Sequence, residues 1–208
     1  MLKRCWWAEH HPLLSDYHDK EWGMPAHDDR VHFEFLVLEA AQAGLSWLTV
    51  LKKREGYRKH FMKFDYNKVA KFGEAEVKRM LKDPGVIRNE LKIRSAIANA
   101  KPFIAIRKEC GSFDRYLWDF VKGKPVQNRI HSSEDLVPSS PLSDAISKDL
   151  KKRGFRFVGT TIIYSHLQAV GVVNDHQAMC FRRKPCAANK PKHCHPLRQA
   201  IILTMRKK

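Results

Sequence analysis

Apolar residues recur at intervals of three or four along most of this 208-residue chain, whereas sustained alternation of apolar and polar residues is rare. Intervals of three and four place apolar side chains on one face of a helix, while alternation would indicate strands. The pattern therefore predicts an all-α fold of about eight helices, with no internal repeat and no linker before the last 28 residues. The clearest predicted helices are 31–43, 47–55, Glu74–Lys82, Glu90–Lys108, Ser112–Val121, Ser143–Arg153 and Thr160–Val170.

Small polar residues mark where several of these helices begin. Asp28 or Asp29 can cap the strongly apolar helix of residues 31–43, and Gly44 is well placed to end it. Ser46 can then cap the helix that follows. Ser143 is the predicted N-cap of the helix that it begins.

A turn between two predicted helices has the composition of a DNA-binding hairpin. The segment 82–88, KDPGVIR, contains a Pro84-Gly85 turn flanked by Val and Ile. In a helix–hairpin–helix, backbone N–H groups at the start of the second helix bind a DNA phosphate, which the helix dipole also favours. Pro-Gly turns between helices are common without this role, so an ordinary turn fits the segment as well.

Composition narrows the class of protein. The chain carries 39 Lys and Arg against 22 Asp and Glu, a formal net charge of +17, and has five cysteines, too few for a secreted disulfide scaffold. It has no apolar run of about 18 residues and its N-terminus lacks the apolar core of a signal peptide. We therefore expect a soluble cytoplasmic protein that does not enter a membrane. The charge suggests a nucleic-acid partner, although a basic enzyme without one fits equally well.

About half of the net charge lies in the last 28 residues, which contain nine Lys or Arg and no acidic residue. Residues 1–180 carry only +8. We expect residues 184–208 to form a basic extension of a domain made by residues 1–183, mobile until it meets a partner, with one short helix at Leu197–Met205. A solvated tail with no role beyond solubility fits the same composition.

Cysteine and histidine residues near both ends of the domain have the spacing of a zinc site. His176 and Cys180 would share one face of a helical turn or one tight loop, and Cys5 precedes His18 by twelve intervening residues. Two Cys and two His make a closed tetrahedral zinc site with no position for substrate water. Unrelated buried cysteines and surface histidines fit the spacing equally well. Four further residues match no common zinc spacing well and are a weaker candidate for a second site: Cys186, His193, Cys194 and His195.

A carboxylate and several aromatic residues near the N-terminus could carry chemistry. Glu39 lies within the apolar sequence LVLEAAQAGLSW, so a helix would bury it unless it faces a cavity. A buried carboxylate is costly unless it is paired, which points to function, whereas a Glu that faces solvent is the simpler interpretation. Aromatic rings stack on bases and attract cations, although most tryptophans are simply packed. The aromatic residues concerned are Trp6, Trp7, Tyr17, Trp22 and Trp47.

The sequence contains no Gly-rich phosphate loop, HExxH or GxSxG, which argues against nucleotide-dependent, zincin and common serine hydrolase chemistry.

Five segments identify a family resemblance. The segments RCWW, YHDKEWGMP, LEAAQAGLSWLTVLKKRE, LKKRGFRFVGTTIIYS and VNDH together closely resemble the bacterial 3-methyladenine DNA glycosylase I family. The resemblance implies the all-α helix–hairpin–helix glycosylase architecture. It also implies a base-excision repair enzyme that hydrolyses the N-glycosidic bond of 3-methyladenine, or of 3-methylguanine, in alkylated double-stranded DNA.

The resemblance implies roles for individual residues. It places one structural zinc ion on the two Cys and two His already noted, Cys5, His18, His176 and Cys180. It makes Glu39 the catalytic residue of a base-binding pocket, whose aromatic walls it assigns to Tyr17, Trp47, Trp6 and Trp22. We assign the DNA contacts to the hairpin and to the glycine that follows the helix of Glu39, namely Gly44, Gly85, Val86 and Arg88.

The same resemblance limits the chemistry. It implies simple hydrolysis by a monomer, without a lysine Schiff base, strand cleavage or the catalytic Asp of other helix–hairpin–helix glycosylases, so Asp114 and Asp119 receive no role. Leu91 stands where family members often have a small residue, a difference that bears on phosphate binding at the hairpin. A zinc-stabilised protein that recognises distorted DNA without cleavage is the alternative, against which the intact pocket residues argue.

Overall fold

The computed structural model describes residues 2–188, which fold mainly into helices, as the periodicity predicts. Two two-residue strands, β1 (Val126–Gln127) and β2 (Val173–Asn174), pair in parallel and were not predicted. The predicted helix Leu197–Met205 lies outside the described residues. The helices are α1 (Pro12–Lys20), α2 (Asp29–Gln42), α3 (Trp47–His60), α4 (Tyr66–Val69), α5 (Glu74–Lys82), α6 (Glu90–Cys110), α7 (Phe113–Asp119), α8 (Pro141–Lys152), α9 (Thr160–Ala169) and α10 (Arg183–Ala188), with shorter helical turns at Trp6–His10, Met62–Phe64 and Ser133–Asp135.

Side-chain caps start α2 and α3 where the sequence predicts. The Asp28 carboxylate accepts the N–H of Arg30 at 2.6 Å, so Asp28 rather than Asp29 is the cap of α2. The hydroxyl of Ser46 accepts the N–H of Thr49 at 3.2 Å at the start of α3. Helix α3 continues to His60, five residues beyond the predicted end, because its later part buries side chains against the core.

The predicted N-cap of α8 is wrong by three residues. Ser140 is the cap, and Ser143 lies inside the first turn, where the two serines exchange hydrogen bonds between hydroxyl and backbone N–H at 2.8 and 3.2 Å. Pro141 explains the earlier start, because proline is well suited to the first helical position and has no N–H to satisfy. Gly154 follows the helix with a φ of +91°, consistent with a left-handed glycine after a helix C-terminus.

Helix α2 lies at the centre of the core. Ten consecutive side chains, His32 to Ala41, are buried, and the helix contacts α3, α6, α7 and α9. A helix that is buried on all sides carries apolar residues all round instead of an amphipathic stripe. Glu39 is therefore buried with its neighbours, and the interpretation of a solvent-facing Glu39 is wrong.

The two ends of the domain meet. The N–H of Phe181, in the segment that follows strand β2, donates to the carbonyl of Lys3 near the N-terminus at 3.0 Å. Helix α10 crosses the predicted boundary at residue 183, and Cys186 within it is fully buried, with its Sγ 3.5 Å from the Sδ of Met24. The part of the basic extension that the structure describes therefore lies against the domain at Cys186. None of the helices in residues 2–188 is long and apolar enough to cross a membrane.

The hairpin between α5 and α6 packs tightly against α3. A methyl group at Gly56 of α3 would lie 2.0 Å from the carbonyl oxygen of Gly85, so only glycine allows this approach. Lys53 donates from its ammonium to the carbonyl of Pro84 at 2.6 Å, and His60 bonds the Asp83 carboxylate at 2.7 Å. The hairpin is thus fixed relative to the helix that begins at Trp47.

Candidate functional site

The structure brings the four predicted zinc ligands together in a buried cluster. The ligand atoms of Cys5, His18, His176 and Cys180 all lie within 4.8 Å of one another. The Sγ of Cys180 is 3.3 Å from the Nε2 of His18 and 3.4 Å from the Nδ1 of His176, and the Sγ of Cys5 is 3.6 Å from the latter atom. The cluster joins the segment before α1 to the segment after β2.

The geometry of this cluster fits a tetrahedral metal ion. Zinc with bonds of about 2.3 Å to sulfur and about 2.0 Å to nitrogen holds a sulfur and a nitrogen ligand roughly 3.5 Å apart, close to the distances observed. The second nitrogen of each ring is engaged outside the cluster. The Nδ1 of His18 donates to Asp19 at 2.8 Å, and the Nε2 of His176 donates to the carbonyl of Trp22 at 3.1 Å. Such outer partners fix the tautomer that presents a lone pair to the metal.

The remaining cysteines and histidines of the tail do not join this cluster. Cys186 is buried beside Met24, and burial raises the pKa of its thiol to about 11. The other members of the weaker second candidate, His193, Cys194 and His195, lie outside the described residues. Among residues 2–188 the cluster is the only group with the ligand number and spacing for a metal ion.

Three residues from three helices converge beside the cluster. Tyr17 lies on α1, Glu39 on α2 and Trp47 at the start of α3. The rings of Tyr17 and Trp47 have centroids 5.3 Å apart and are tilted by 51°. Glu39 is near enough for its charge to raise the pKa of the Tyr17 hydroxyl, to which burial contributes most. The predicted pocket residues are therefore neighbours.

The polar groups of these three residues lack partners within the part of the chain that the structure describes. Glu39 is 4% exposed, accepts no hydrogen bond there, and burial raises the pKa of its carboxyl group from 4.5 to about 8. The Nε1 of Trp47 is buried without a partner, and the Tyr17 hydroxyl forms no hydrogen bond within the described residues. Unpartnered buried polar groups are costly and cluster at functional sites. Together they offer two donors, a carboxylate and two aromatic rings to a planar, polar ligand.

The aromatic lining differs from the prediction at one position. Trp7, not Trp6, packs on Tyr17 at a centroid distance of 6.3 Å and on Trp22 at 5.0 Å. Trp6 instead donates its backbone N–H to the side chain of Gln177 at 3.0 Å. The helical turn Trp6–His10 sends successive side chains in different directions, so only one of two adjacent tryptophans can face the pocket. Nothing in the dipeptide WW distinguishes the two.

Trp22 connects the pocket to the cluster. Its ring lies 4.6 Å from that of His176 in an edge-to-face arrangement and contacts Trp7 on the other side. Its carbonyl accepts the Nε2–H of His176. The predicted role of Trp22 in lining the pocket is therefore combined with support of a candidate metal ligand.

The loop between α2 and α3 lies at the surface beside the pocket. Gly44 in this loop is exposed with a φ of +75°, and Leu45 is 40% exposed. Lys92, on the first turn of α6, donates from its ammonium to the carbonyls of Ala41 and Ala43 at 2.8 and 2.5 Å. The loop and the hairpin therefore share one face of the protein, and Lys92 was not predicted because nothing in its local sequence marks this contact.

At the hairpin, two of the predicted phosphate donors are engaged within the turn. The N–H of Gly85 donates to the Asp83 carboxylate at 2.6 Å, and that of Val86 to the Asp83 carbonyl at 3.3 Å. The N–H of Ile87 faces the hydroxyl of Tyr57, whereas that of Arg88 forms no hydrogen bond within the described residues, so Arg88 is the donor left for an anion. Gly85 and Val86 therefore have no free N–H group for a phosphate, whereas Arg88, which was also predicted to contact DNA, keeps its own; contact of these residues with DNA stays a prediction.

Comparisons with known proteins agree on one family. The family model for methyladenine glycosylases matches residues 7–183. The Escherichia coli (strain K12) DNA-3-methyladenine glycosylase 1 is 46% identical over 179 residues, which cover 86% of this chain and 96% of that protein. The Haemophilus influenzae DNA-3-methyladenine glycosylase is 42% identical over 187 residues, 89% and 98% of the two chains. A solved structure of Staphylococcus aureus 3-methyladenine DNA glycosylase I, which describes how 3-methyladenine is recognised, has a TM-score of 0.83, 34% identity, and coverage of 93% and 99%.

Proposed function

Because the chain belongs to the methyladenine glycosylase family, we propose that it removes 3-methyladenine from alkylated DNA by hydrolysing the N-glycosidic bond. It is a base-excision repair enzyme, and the observation that carries this function is the convergence of Tyr17, Glu39 and Trp47 with unpartnered polar groups. Such a pocket suits a planar base that has left the DNA duplex.

Recognition of the lesion follows from charge and stacking. Methylation at N3 gives the adenine in DNA a positive charge, which the aromatic faces of Tyr17 and Trp47 attract. Glu39 accepts a hydrogen bond from the exocyclic amine and supplies the opposite charge. An unmodified adenine lacks the positive charge, so it does not offset the cost of an ionised carboxylate at this buried position. The pocket therefore selects the cationic base.

Catalysis in this pocket needs no strong nucleophile from the protein. The glycosidic bond of a cationic base is already weakened, so Glu39 has only to stabilise positive charge while water replaces the base. We propose simple hydrolysis, without a Schiff base or strand cleavage; the ammonium of Lys92, near this site, is engaged by the carbonyls of Ala41 and Ala43. The carboxylate of Asp114 accepts hydrogen bonds from His27 and His32 at 3.0 and 3.2 Å, and no catalytic role is proposed for it.

One zinc ion is the proposed occupant of the cluster of Cys5, His18, His176 and Cys180. Four protein ligands leave no coordination position for substrate, so the ion is structural. His18 directly follows Tyr17 in sequence, and zinc bound there would hold the base-binding tyrosine against the rest of the pocket.

Alkylated double-stranded DNA is the proposed partner of a monomeric enzyme, and the exposed loop and hairpin form its proposed binding face. The N–H group of Arg88 can bind a phosphate just before the start of α6. Gly44 allows close approach of the DNA backbone, and the exposed side chain of Leu45 is suited to fill the space between bases next to the one that leaves the duplex. This architecture is that of a helix–hairpin–helix glycosylase domain, residues 1–183, followed by a basic extension at 184–208.

The test is incubation of metal-loaded protein with methylated DNA, followed by chromatography of the released bases. We expect release of 3-methyladenine, with the amount of 3-methylguanine defining the lesion range, and no strand break until alkali is added. Glu39→Ala should lower release severalfold or more while the helical circular dichroism stays unchanged. Binding of distorted DNA without any base release would favour the alternative of a non-catalytic recognition protein.

A further inference from the structure

Arg54 forms a buried ion cluster behind the base pocket. Its Nε donates to Glu34 at 2.7 Å, and its two terminal nitrogens donate to the two carboxylate oxygens of Glu21, each at 2.7 Å. The Arg54 side chain is 9% exposed, and that of Glu34 is 11% exposed. A planar guanidinium satisfies both carboxylates at once, which a lysine ammonium cannot do with the same geometry.

The three members of this ion cluster come from the three helices that carry the pocket. Arg54 lies on α3, seven residues after Trp47, so the two side chains share one face of that helix. Glu21 ends α1, four residues after Tyr17, and shares its face in the same way. Glu34 belongs to α2, the helix of Glu39.

Phe35 fills the space between the ion cluster and the pocket. The guanidinium of Arg54 lies 5.4 Å from the centroid of the Phe35 ring, and that ring lies 6.1 Å from the ring of Tyr17. Phe35 is also four residues before Glu39 on α2, so it sits one helical turn below the carboxylate. The ion cluster is therefore one layer of side chains behind the groups that face the base.

The charges of the ion cluster are compatible with a cationic base nearby. The positive charge of Arg54 is offset by the carboxylates of Glu21 and Glu34, and the Nε of Arg58 also donates to the Glu34 carboxylate at 3.0 Å. Removal of the guanidinium alone would leave the Glu34 carboxylate largely buried with only Arg58 as its partner and would release Glu21 from α3. Loss of this contact would free α1 and α3 to shift relative to each other.

We propose that Arg54 is a positioning residue for base excision, which locks α1, α2 and α3 in the arrangement that places Tyr17, Glu39 and Trp47 around the flipped base. This inference rests on the proposed function. Misplacement of pocket groups by about 1 Å can cost roughly a hundredfold in rate. Loss of Arg54 therefore affects chemistry and base binding more than it affects attachment to DNA, since the loop and hairpin are not part of the ion cluster.

The experiment compares Arg54→Lys, Arg54→Met and Glu21→Gln with the wild type. We expect Arg54→Met to lower kcat on methylated DNA by roughly 10–100-fold, with KM for the DNA changed less than about threefold. Affinity for free 3-methyladenine, followed by quenching of tryptophan fluorescence, should fall by a similar factor. Arg54→Lys and Glu21→Gln should fall between Arg54→Met and the wild type, because each keeps part of the contact.

Arg153 provides a matched control. Its guanidinium also bridges two carboxylates, Glu109 and Asp149, each at 2.6 Å, and lies 5.4 Å from an aromatic ring, that of Tyr116. Arg153→Met should lower the melting temperature without lowering kcat or affinity for the free base when assayed below that temperature. Equal loss of kcat in both Met variants at matched stability would overturn the positioning role.

Two results separate this inference from the proposed function. If the wild type releases 3-methyladenine while Arg54→Lys and Glu21→Gln keep its kcat and its affinity for the free base, the role of Arg54 is wrong and the function stands. These two variants decide the question even if Arg54→Met does not fold. If the wild type releases no 3-methyladenine, the proposed function itself fails.

Discussion

Lys92 donates a hydrogen bond from its ammonium to the carbonyl oxygen of Ala41, 2.8 Å away, and so joins the first turn of α6 to the C-terminal end of α2. The last carbonyls of a helix have no partner within the helix, and a cation there also interacts favourably with the dipole. Glu39 is two residues before Ala41 on α2. Helix α6, which follows the proposed phosphate-binding hairpin, is therefore tied directly to the helix that carries the catalytic carboxylate.

Lys92→Met should therefore lower excision from DNA more than binding of the free base. Without the ammonium, the loop that contains Gly44 and Leu45 loses its link to the hairpin, and the start of α6 remains intact because Asn89 caps it. We expect a loss of roughly tenfold in kcat/KM on methylated DNA, with affinity for free 3-methyladenine within about twofold of the wild type. Lys101→Met, at an exposed position of α6, is the control and should leave both unchanged.

Glu39→Gln should alter the pH dependence of stability as well as abolish most activity. The folded state holds the pKa of Glu39 at about 8, above its ordinary value of 4.5. Below pH 4.5 the group is protonated in both states; between pH 4.5 and 8 the unfolded chain releases the proton first, so the free energy of unfolding of the wild type falls as the pH rises. The variant lacks this loss. Its free energy of unfolding should therefore exceed that of the wild type by a few kcal/mol more at pH 8 than at pH 4.5.

Urea unfolding at pH 4.5, 6 and 8 measures this difference. Glu9→Gln, at an exposed position, is the control and should follow the wild-type curve. Parallel stability curves for Glu39→Gln and the wild type over the whole range would contradict the buried, unpartnered state of Glu39.

Metal removal should destabilise the N-terminal segment first. We expect about one zinc per chain by metal analysis, and a chelator should lower the melting temperature by about 10 °C. Cys180→Ser should reproduce this effect, whereas Cys110→Ser, which changes a buried cysteine far from the cluster in sequence, should retain the full metal content. Full activity and unchanged melting after complete removal of zinc would show that the cluster is not a structural metal site.

Tyr17→Phe isolates the contribution of one hydroxyl. The ring packing against Trp47 and Phe35 stays, but a donor that has no partner within the described residues is lost. Loss of one hydrogen bond to the base is worth about 1 kcal/mol, so affinity for free 3-methyladenine should fall about fivefold. Tyr116→Phe, whose hydroxyl donates to Asp149 at 2.8 Å, is the control and should leave that affinity unchanged. An unchanged affinity in Tyr17→Phe would mean that the hydroxyl does not contact the base.

The positive charge of the C-terminal extension is expected to influence how DNA affinity depends on salt concentration. Deletion of residues 189–208 removes six Lys or Arg and spares Cys186, which is buried in the domain. If these cations contact phosphate, the plot of log affinity against log salt concentration becomes less steep by about 0.9 for each lost contact. Replacement of the segment by uncharged Gly and Ser is the control for chain length. If full-length and shortened protein give the same slope of log affinity against log salt concentration, the extension does not contact phosphate.

Local signals in the sequence were sufficient for the seven helices that were predicted among residues 2–188, but not for α1, α4 and α10. The candidate ligands were assigned by the family resemblance, because their spacing alone left the choice open. Asp28 and Ser46 act as caps because their side chains reach N–H groups two or three residues away, and such short-range chemistry is visible in the sequence. The choice between Trp6 and Trp7 depends on how a single turn is rotated against α1, and the burial of Cys186 depends on a surface made by Met24, far away in the chain. Arg54 was missed for the same reason, since its partners come from two other helices.

The candidate metal cluster also determines when the pocket can form during synthesis. His18 meets Cys180, which is made 162 positions later. The segment that carries Tyr17 leaves the ribosome early, but two of the four candidate ligands that anchor it, His176 and Cys180, arrive only when the domain is almost complete. Helices α2 and α3 can already have packed by then. The candidate metal anchor of the wall that Tyr17 provides is therefore completed last, so a nascent chain interrupted before His176 builds much of its core while the segment next to Tyr17 still lacks that anchor.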